Sequence, residues 1–317
     1  MDVGISLPTT SRRAWDPGIA QVARAAEQEG AASLWVNDHL AMVADPASPY
    51  PYGADGRIDW DPAAPQLEAL VALAQAAAVT ERARIGTAVL ILPQRNPVEL
   101  AKATASLDVL SGGRLRLGVG AGWLAEEMQA LGHSFAGRGR RMEECIRVLR
   151  ACWCGRPDRF DGEQVSVPEG LLMYPRPVRA EGVPILIGGM SRPALRRAAL
   201  LGDGWLAVAD ADALDGAELA AAIGRLEDER SAHGRGGRAE RVLKVNCPPG
   251  TDERRCAAAT AAAMAAGFDE VILDVSWERL EDASALLRAA LDVASGARTT
   301  SEEHERPQGR TTSGGPR

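Results

Sequence analysis

The stretch RLRLGVGAGWLAEEMQALGHSFAGRGRRMEECIRVLRACW, residues 114–153, runs an apolar segment into a glycine turn that opens onto a helix. Gly118, Gly120 and Gly122 let a ligand approach the backbone, and a helix starting at Trp123 would aim its unpaired N–H groups at the same turn. Together these features outline an anion site. Such turns also serve plain packing, and both readings stay open here. A dinucleotide fingerprint would need glycine where Trp123 stands, which excludes the Rossmann pattern. Four histidines, His39, His133, His233 and His304, lie too far apart for a local metal motif. Cys145, Cys152, Cys154, Cys247 and Cys256 lack paired metal spacing and read as free thiols.

The turn needs elements to hold it, and the chain supplies a regular alternation. Strands are predicted at 3–7, 33–36, 85–92, 114–118, 184–187, 205–209, 242–246 and 270–274, from short apolar or alternating runs. Helices are predicted near 17–29, 64–80, 97–110, 123–152, 191–201, 212–232, 252–266 and 278–294. A βα unit repeated eight times predicts a closed parallel (βα)8 TIM barrel, with ligand-binding loops at the strand C-termini. Residues 40–62, which hold Pro46, Pro49, Pro51, Pro62 and the YPYG run, are expected to form a lid over the mouth. Residues 158–179 are expected to make a hairpin excursion. Beyond Gly296 no large apolar side chain occurs, so the barrel domain is expected to span 1–296, with 297–317 a disordered tail.

At 317 residues and 46% apolar content the chain can build one large core. A net charge of −7 and the absence of a basic stripe with interleaved aromatics argue against nucleic acid or an anionic membrane, and favour a small-molecule partner. The N-terminus lacks a basic segment followed by a long apolar run, which predicts a cytoplasmic protein.

The chain resembles the luciferase-like monooxygenase superfamily, in particular its coenzyme F420 (deazaflavin)-dependent oxidoreductases. The likeness rests on LWVNDHL at 34–40, YPYGADGRIDWDP at 50–62, GTAVLILPQRNPVELAKATASLDVLSGGRL at 86–115, GVGAGWLAEE at 118–127, GRGRR at 137–141 and VPILIGGMSRPALRRAALLGDGWL at 183–206, whose order and spacing agree as well as their letters. The resemblance implies a luciferase-type barrel with F420, or alternatively FMN, lying across the strand C-termini, and hydride transfer at its ring. It implies that His39 relays a proton or cradles the ring, with Asp38 beside it. It implies a non-proline cis peptide at Ala88–Val89 beneath the ring. Gly118, Gly120, Ala121, Gly122 and Trp123 on one strand end, and Gly188, Gly189, Met190 and Ser191 on another, would converge on the ribityl phosphate. Ser191 doubles as a helix N-cap.

One departure bears on the substrate. Sugar-phosphate-oxidising relatives carry a catalytic glutamate directly after the GVGxG turn, where this chain has Trp123, which disfavours that reaction. Glu126 and Glu127, a little further on, are explained by the helix dipole without a catalytic role. The resemblance also implies a homodimer and no metal. The rival readings are an FMN-dependent monooxygenase working with a separate reductase, and a non-catalytic flavin-binding protein.

Overall fold

Apolar runs such as SLWV and EVILDV have both faces buried, which requires cover on each side, and the chain provides it by closing its sheet into a cylinder wrapped in helices. The computed structural model describes residues 1–304 except Ser11, Arg12, Ala14, Ala54, Asp59 and Glu278, with side chains described as far as residue 296. The strands are β1 (Asp2–Ser6), β2 (Ser33–Val36), β3 (Arg84–Ile91), β4 (Leu115–Gly120), β5 (Phe160–Asp161), β6 (Ser166–Val167), β7 (Ile185–Gly188), β8 (Gly204–Asp210), β9 (Glu240–Cys247) and β10 (Glu270–Val275). All but β5 and β6 pair in parallel as a closed barrel in the order β1-β10-β9-β8-β7-β4-β3-β2.

The helices are α1 (Ile19–Glu29), α2 (Ala69–Val79), α3 (Pro97–Leu110), α4 (Ala125–Ala130), α5 (Arg138–Trp153), α6 (Arg192–Leu201), α7 (Gly216–Ala232), α8 (Glu253–Ala266) and α9 (Leu280–His304). The eightfold βα reading therefore holds. The long helix predicted over 123–152 is corrected to two, because Gly132 and Gly137 between them take positive φ, the conformation that ends a helix. Because α4 begins only at Ala125, Trp123 lies in the turn rather than on a helix. β5 and β6 form the expected hairpin, held where Glu144 accepts the N–H groups of Glu163, Gln164 and Val165. α9 continues to His304, into the first part of the expected tail, and residues 305–317 lie outside the described residues.

Alternate strand residues divide two cores. Val3, Ile5, Leu34 and Ile85 face the helices, while Trp35, Ala88, Leu186, Leu206, Val242 and Ile272 fill the barrel. Small residues make room for Trp35: a Cβ on Gly86 would lie 2.4 Å from its ring. Charged side chains occupy the amino end. Glu270 accepts from Ser33, from Trp35 Nε1 (3.0 Å) and from Arg84 (2.6 Å), Arg84 also reaches Asp2 (2.8 Å), and Arg116 pairs with Glu240. With that end filled by ion pairs, a ligand site belongs at the carboxyl ends of the strands.

Candidate active site

His39 follows β2 at the carboxyl end of the barrel, and its Nδ1 lies 2.8 Å from Oε2 of Glu127 in the first turn of α4. The Glu127 side chain is 1% exposed. Its other oxygen, Oε1, accepts from the main-chain N–H groups of Leu40 (2.6 Å) and Ala41 (3.1 Å) and from Gln94 Nε2 (3.1 Å). Burial opposes ionisation of this carboxyl. The bond and charge of His39 and the two amides outweigh it and hold the group below the ordinary glutamate range. An ionised carboxylate can only accept, so the proton of neutral His39 sits on Nδ1 and Nε2 becomes the accepting nitrogen.

The adjacent Glu126 binds the next part of the same loop. It accepts from Ala47 N–H (2.7 Å), Ser48 N–H (3.1 Å) and Ser48 Oγ–H (2.7 Å), and Ser48 Oγ in turn accepts the N–H of Ala125 (3.0 Å). Two successive glutamates thus staple the start of the lid to α4. Aromatic edges continue the contact: Tyr50 meets Trp123 at 5.2 Å and Trp60 at 5.0 Å between ring centroids, and Trp123 meets His39 edge-on at 5.9 Å. Trp123 therefore links His39 to the aromatic side chains of the lid.

The chain matches proteins already grouped by sequence. A family model described as luciferase-like monooxygenase matches residues 1–315. The chain belongs to the luciferase-like monooxygenase family. An uncharacterized protein of Mycobacterium tuberculosis is 39% identical over 209 residues, covering 66% of this chain and 70% of that one. The F420-dependent glucose-6-phosphate dehydrogenase of Kineococcus radiotolerans is 33% identical over 195 residues, covering 60% of this chain and 52% of its own. The solved structure of an F420-dependent secondary alcohol dehydrogenase in complex with an F420–acetone adduct superposes with a TM-score of 0.74 at 18% identity, covering 92% of this chain and 98% of that one, which shows the shared fold.

Against this luciferase-like background the expected residues fall into three groups. Ala88–Val89 is a cis peptide, as expected, at the irregularity between Thr87 and Leu90 in the pairing of β3 with β4. Val89 explains several glycines. A Cβ on Gly120 would lie 2.6 Å from Val89 Cγ2, and one on Gly188 would lie 2.5 Å from Val89 Cγ1. Gly118 backs onto the Thr87 carbonyl, and Gly122 (φ 78°) onto Ile91 and Met128. At Gly118, Gly120, Gly122 and Gly188 the missing side chains make room for neighbouring protein atoms. Ala121 and Trp123 stay in the turn.

Asp38 forms the second group. Its side chain is fully buried, with one oxygen 2.5 Å from Arg95 and the other accepting from Ile91 N–H (2.9 Å). Burial pushes its pKa up against the pull of Arg95. It ties the end of β2 to the end of β3.

The third group surrounds the Gly188–Ser191 turn. Gly189 needs its positive φ of 118°, its N–H donates to Leu206 O (3.2 Å), and its carbonyl accepts from Trp205 Nε1 (2.9 Å). Ser191 caps α6 through Ala194 N–H, and Met190 packs partly buried against the outer core. Nearby, Arg138 donates to Gly122 O (3.1 Å) and covers the Phe135 ring at 3.8 Å. Burial and the neighbouring charge of Arg197 lower its pKa, so two guanidiniums crowd this region.

Glu127, Gln94 and Arg138 were not read as functional residues from the sequence. Glu127 touches a residue 88 positions away, and its place in a helix's first turn already had a local explanation. Among the described residues no cluster of three or more His, Cys, Asp or Glu could hold a metal, and no helix is long and apolar enough to cross a membrane.

Proposed function

We propose that the protein is an F420-dependent oxidoreductase that exchanges a hydride between the deazaflavin and a small organic substrate, with His39 moving the accompanying proton. The observation that carries this reading is the contact of partly exposed His39 with buried Glu127, 2.8 Å apart at the carboxyl end of the barrel, where barrels of this type hold their chemistry. The 33% identical relative named for F420 supports the cofactor assignment.

The residues fit a planar heterocycle with an anionic limb. Val89 offers an apolar face. Ser6, on the inward row of β1 with Gly4, is 1% exposed and its hydroxyl has no partner among the described residues, so a polar ring edge would satisfy it. The turn at Gly188, Gly189, Met190 and Ser191, the start of α6 behind it, and Arg138 beside Gly122 would hold the phosphate and tail by charge-assisted hydrogen bonds.

The ring, when bound, supplies the hydride chemistry. In the oxidative direction His39 Nε2 accepts the proton of a substrate hydroxyl, and the imidazolium so formed is stabilised by the Glu127 carboxylate on Nδ1. In the reductive direction the same imidazolium returns it. Trp123 and Tyr50 exclude water from this transfer. Trp123 also stands where sugar-phosphate-oxidising members carry a glutamate, which favours a substrate of another kind.

Titrating the apoprotein separately with F420 and with FMN tests the reading. F420 is expected to bind at least about tenfold tighter, a difference of about 1.4 kcal/mol. Equal or reversed affinities would replace it with an FMN-dependent monooxygenase served by a separate reductase.

A further inference from the structure

Only two of the 36 basic residues are lysines, Lys102 and Lys244. Arginine meets nearly every demand for positive charge in this chain, including the ion pairs at the amino end of the barrel. Lys244 is placed where that rule breaks. It follows Val242 on the inward row of β9, directly above the barrel's inner core. In the closed sheet β3 is the fourth strand from β9 in either direction, so the two are opposite each other.

The lysine spans that width. Its Nζ lies 2.6 Å from Asp274 Oδ2 on β10, donates to Asn37 Oδ1 at 2.8 Å, and reaches the carbonyl of Ala88 on β3 at 3.4 Å. An ammonium has three hydrogens in a tetrahedral spread, which suits acceptors on three sides. A planar guanidinium does not. Register places Ser6, with its unpartnered hydroxyl, beside Asp274, since Ile5 pairs with Leu273 on the neighbouring strand. Ser6, Asp274, Lys244, Asn37 and the Ala88 carbonyl therefore form one polar layer between the apolar core below and the mouth above.

We infer that Lys244 is the counter-charge of the ring site: a fixed cation beneath the mouth that favours the hydride-loaded form of the cofactor over the hydride-free form. The inference rests on the reading that a deazaflavin or flavin ring binds above Ala88–Val89. Accepting a hydride adds one proton and two electrons, hence one negative charge, and a cation held in a partly buried layer stabilises that charge. Asp274 opposes the effect from the β10 side. The two residues therefore act with opposite sign, which a plain structural ion pair would not.

The test measures dissociation constants of F420 and of FMN by anaerobic fluorescence titration, each oxidised and dithionite-reduced, and takes the ratio of oxidised to reduced. Lys244→Met is expected to lower that ratio about tenfold, and Asp274→Asn to raise it. Because either variant leaves a partly buried charge without its partner, the double variant Lys244→Met with Asp274→Asn provides a folded control without an orphan charge. Its melting temperature should return towards wild type while the ratio stays below the Asp274→Asn value. Lys244→Arg keeps the charge but not the three-way fit, so it should weaken both forms together and hold the ratio. Ratios equal to wild type in Lys244→Met and Asp274→Asn would reduce the pair to a structural bridge. Failure of the wild type to bind either ring would overturn the ring-site reading itself, and this inference with it.

Discussion

Glu270, at the amino end of the barrel, accepts from Ser33, Trp35 and Arg84, whereas Glu127, at the carboxyl end, accepts from His39, Gln94 and two lid amides. Both carboxylates are buried, so burial alone does not distinguish them. Their partners do. Arg84 is a permanently charged guanidinium, which makes Glu270 part of a fixed plug, while His39 carries an imidazole, a group that can donate or accept a proton. A buried carboxylate therefore marks a site when the group it touches can change state and lies where a ligand can arrive.

Replacing His39 should have the largest consequence. His39→Ala is expected to lower kcat by about 10²–10⁴, the usual worth of a positioned acid or base, while F420 affinity falls far less. Weakened F420 binding with kcat preserved at saturating cofactor would make His39 a ring support and erase the contrast between the barrel ends. Glu270→Ala should give the opposite profile. Removing one side of a buried ion pair costs about 3–5 kcal/mol, so urea unfolding should detect the loss, and the folded fraction should turn over like wild type. Reduced turnover per folded molecule would show that the plug reaches the chemistry.

Glu127→Gln is expected to be intermediate, with kcat falling roughly tenfold to a hundredfold, as when a group that orients a working histidine is lost. It also carries a pH signature. Because the Glu127 carboxyl is depressed in the folded state from its ordinary 4.5, its ionisation stabilises the fold above that pH. This contribution fades as pH falls from there through the lower folded value. The melting-temperature gap between wild type and Glu127→Gln should close across that acid window, and a gap that persists below it would place the stabilisation elsewhere. The smallest change is expected for Ser48→Ala, which removes the hydroxyl that receives Ala125 N–H and should cost about 1 kcal/mol in thermal unfolding. A loss well beyond that would mean the lid staple holds more than the first turn of α4.

The architecture was legible because its signals are local. β2 begins and ends at the expected residues, as its apolar SLWV run is bounded on both sides, and α3 does so because Asn96 caps it and Pro97 opens it. The long helix over 123–152 was misjudged where two glycines interrupt an otherwise helical composition. In the site, His39 was legible as a strand-end histidine. The glycines were recognised but their first purpose was not, since only the folded barrel brings Val89 against Gly120 and Gly188. Glu127 and Lys244 were hidden for the same reason: each works through a side chain or carbonyl far away in sequence, and each has an ordinary local explanation.

Glu127 is expected to act on the reaction through His39. A double-mutant cycle measures this coupling, with kcat determined for wild type, His39→Ala, Glu127→Gln and the double variant under saturating cofactor and substrate. Glu127→Gln should cost nothing further once His39 is absent, so that the double variant turns over like His39→Ala. Losses that multiply independently would contradict it and leave Glu127 as a lid anchor alone.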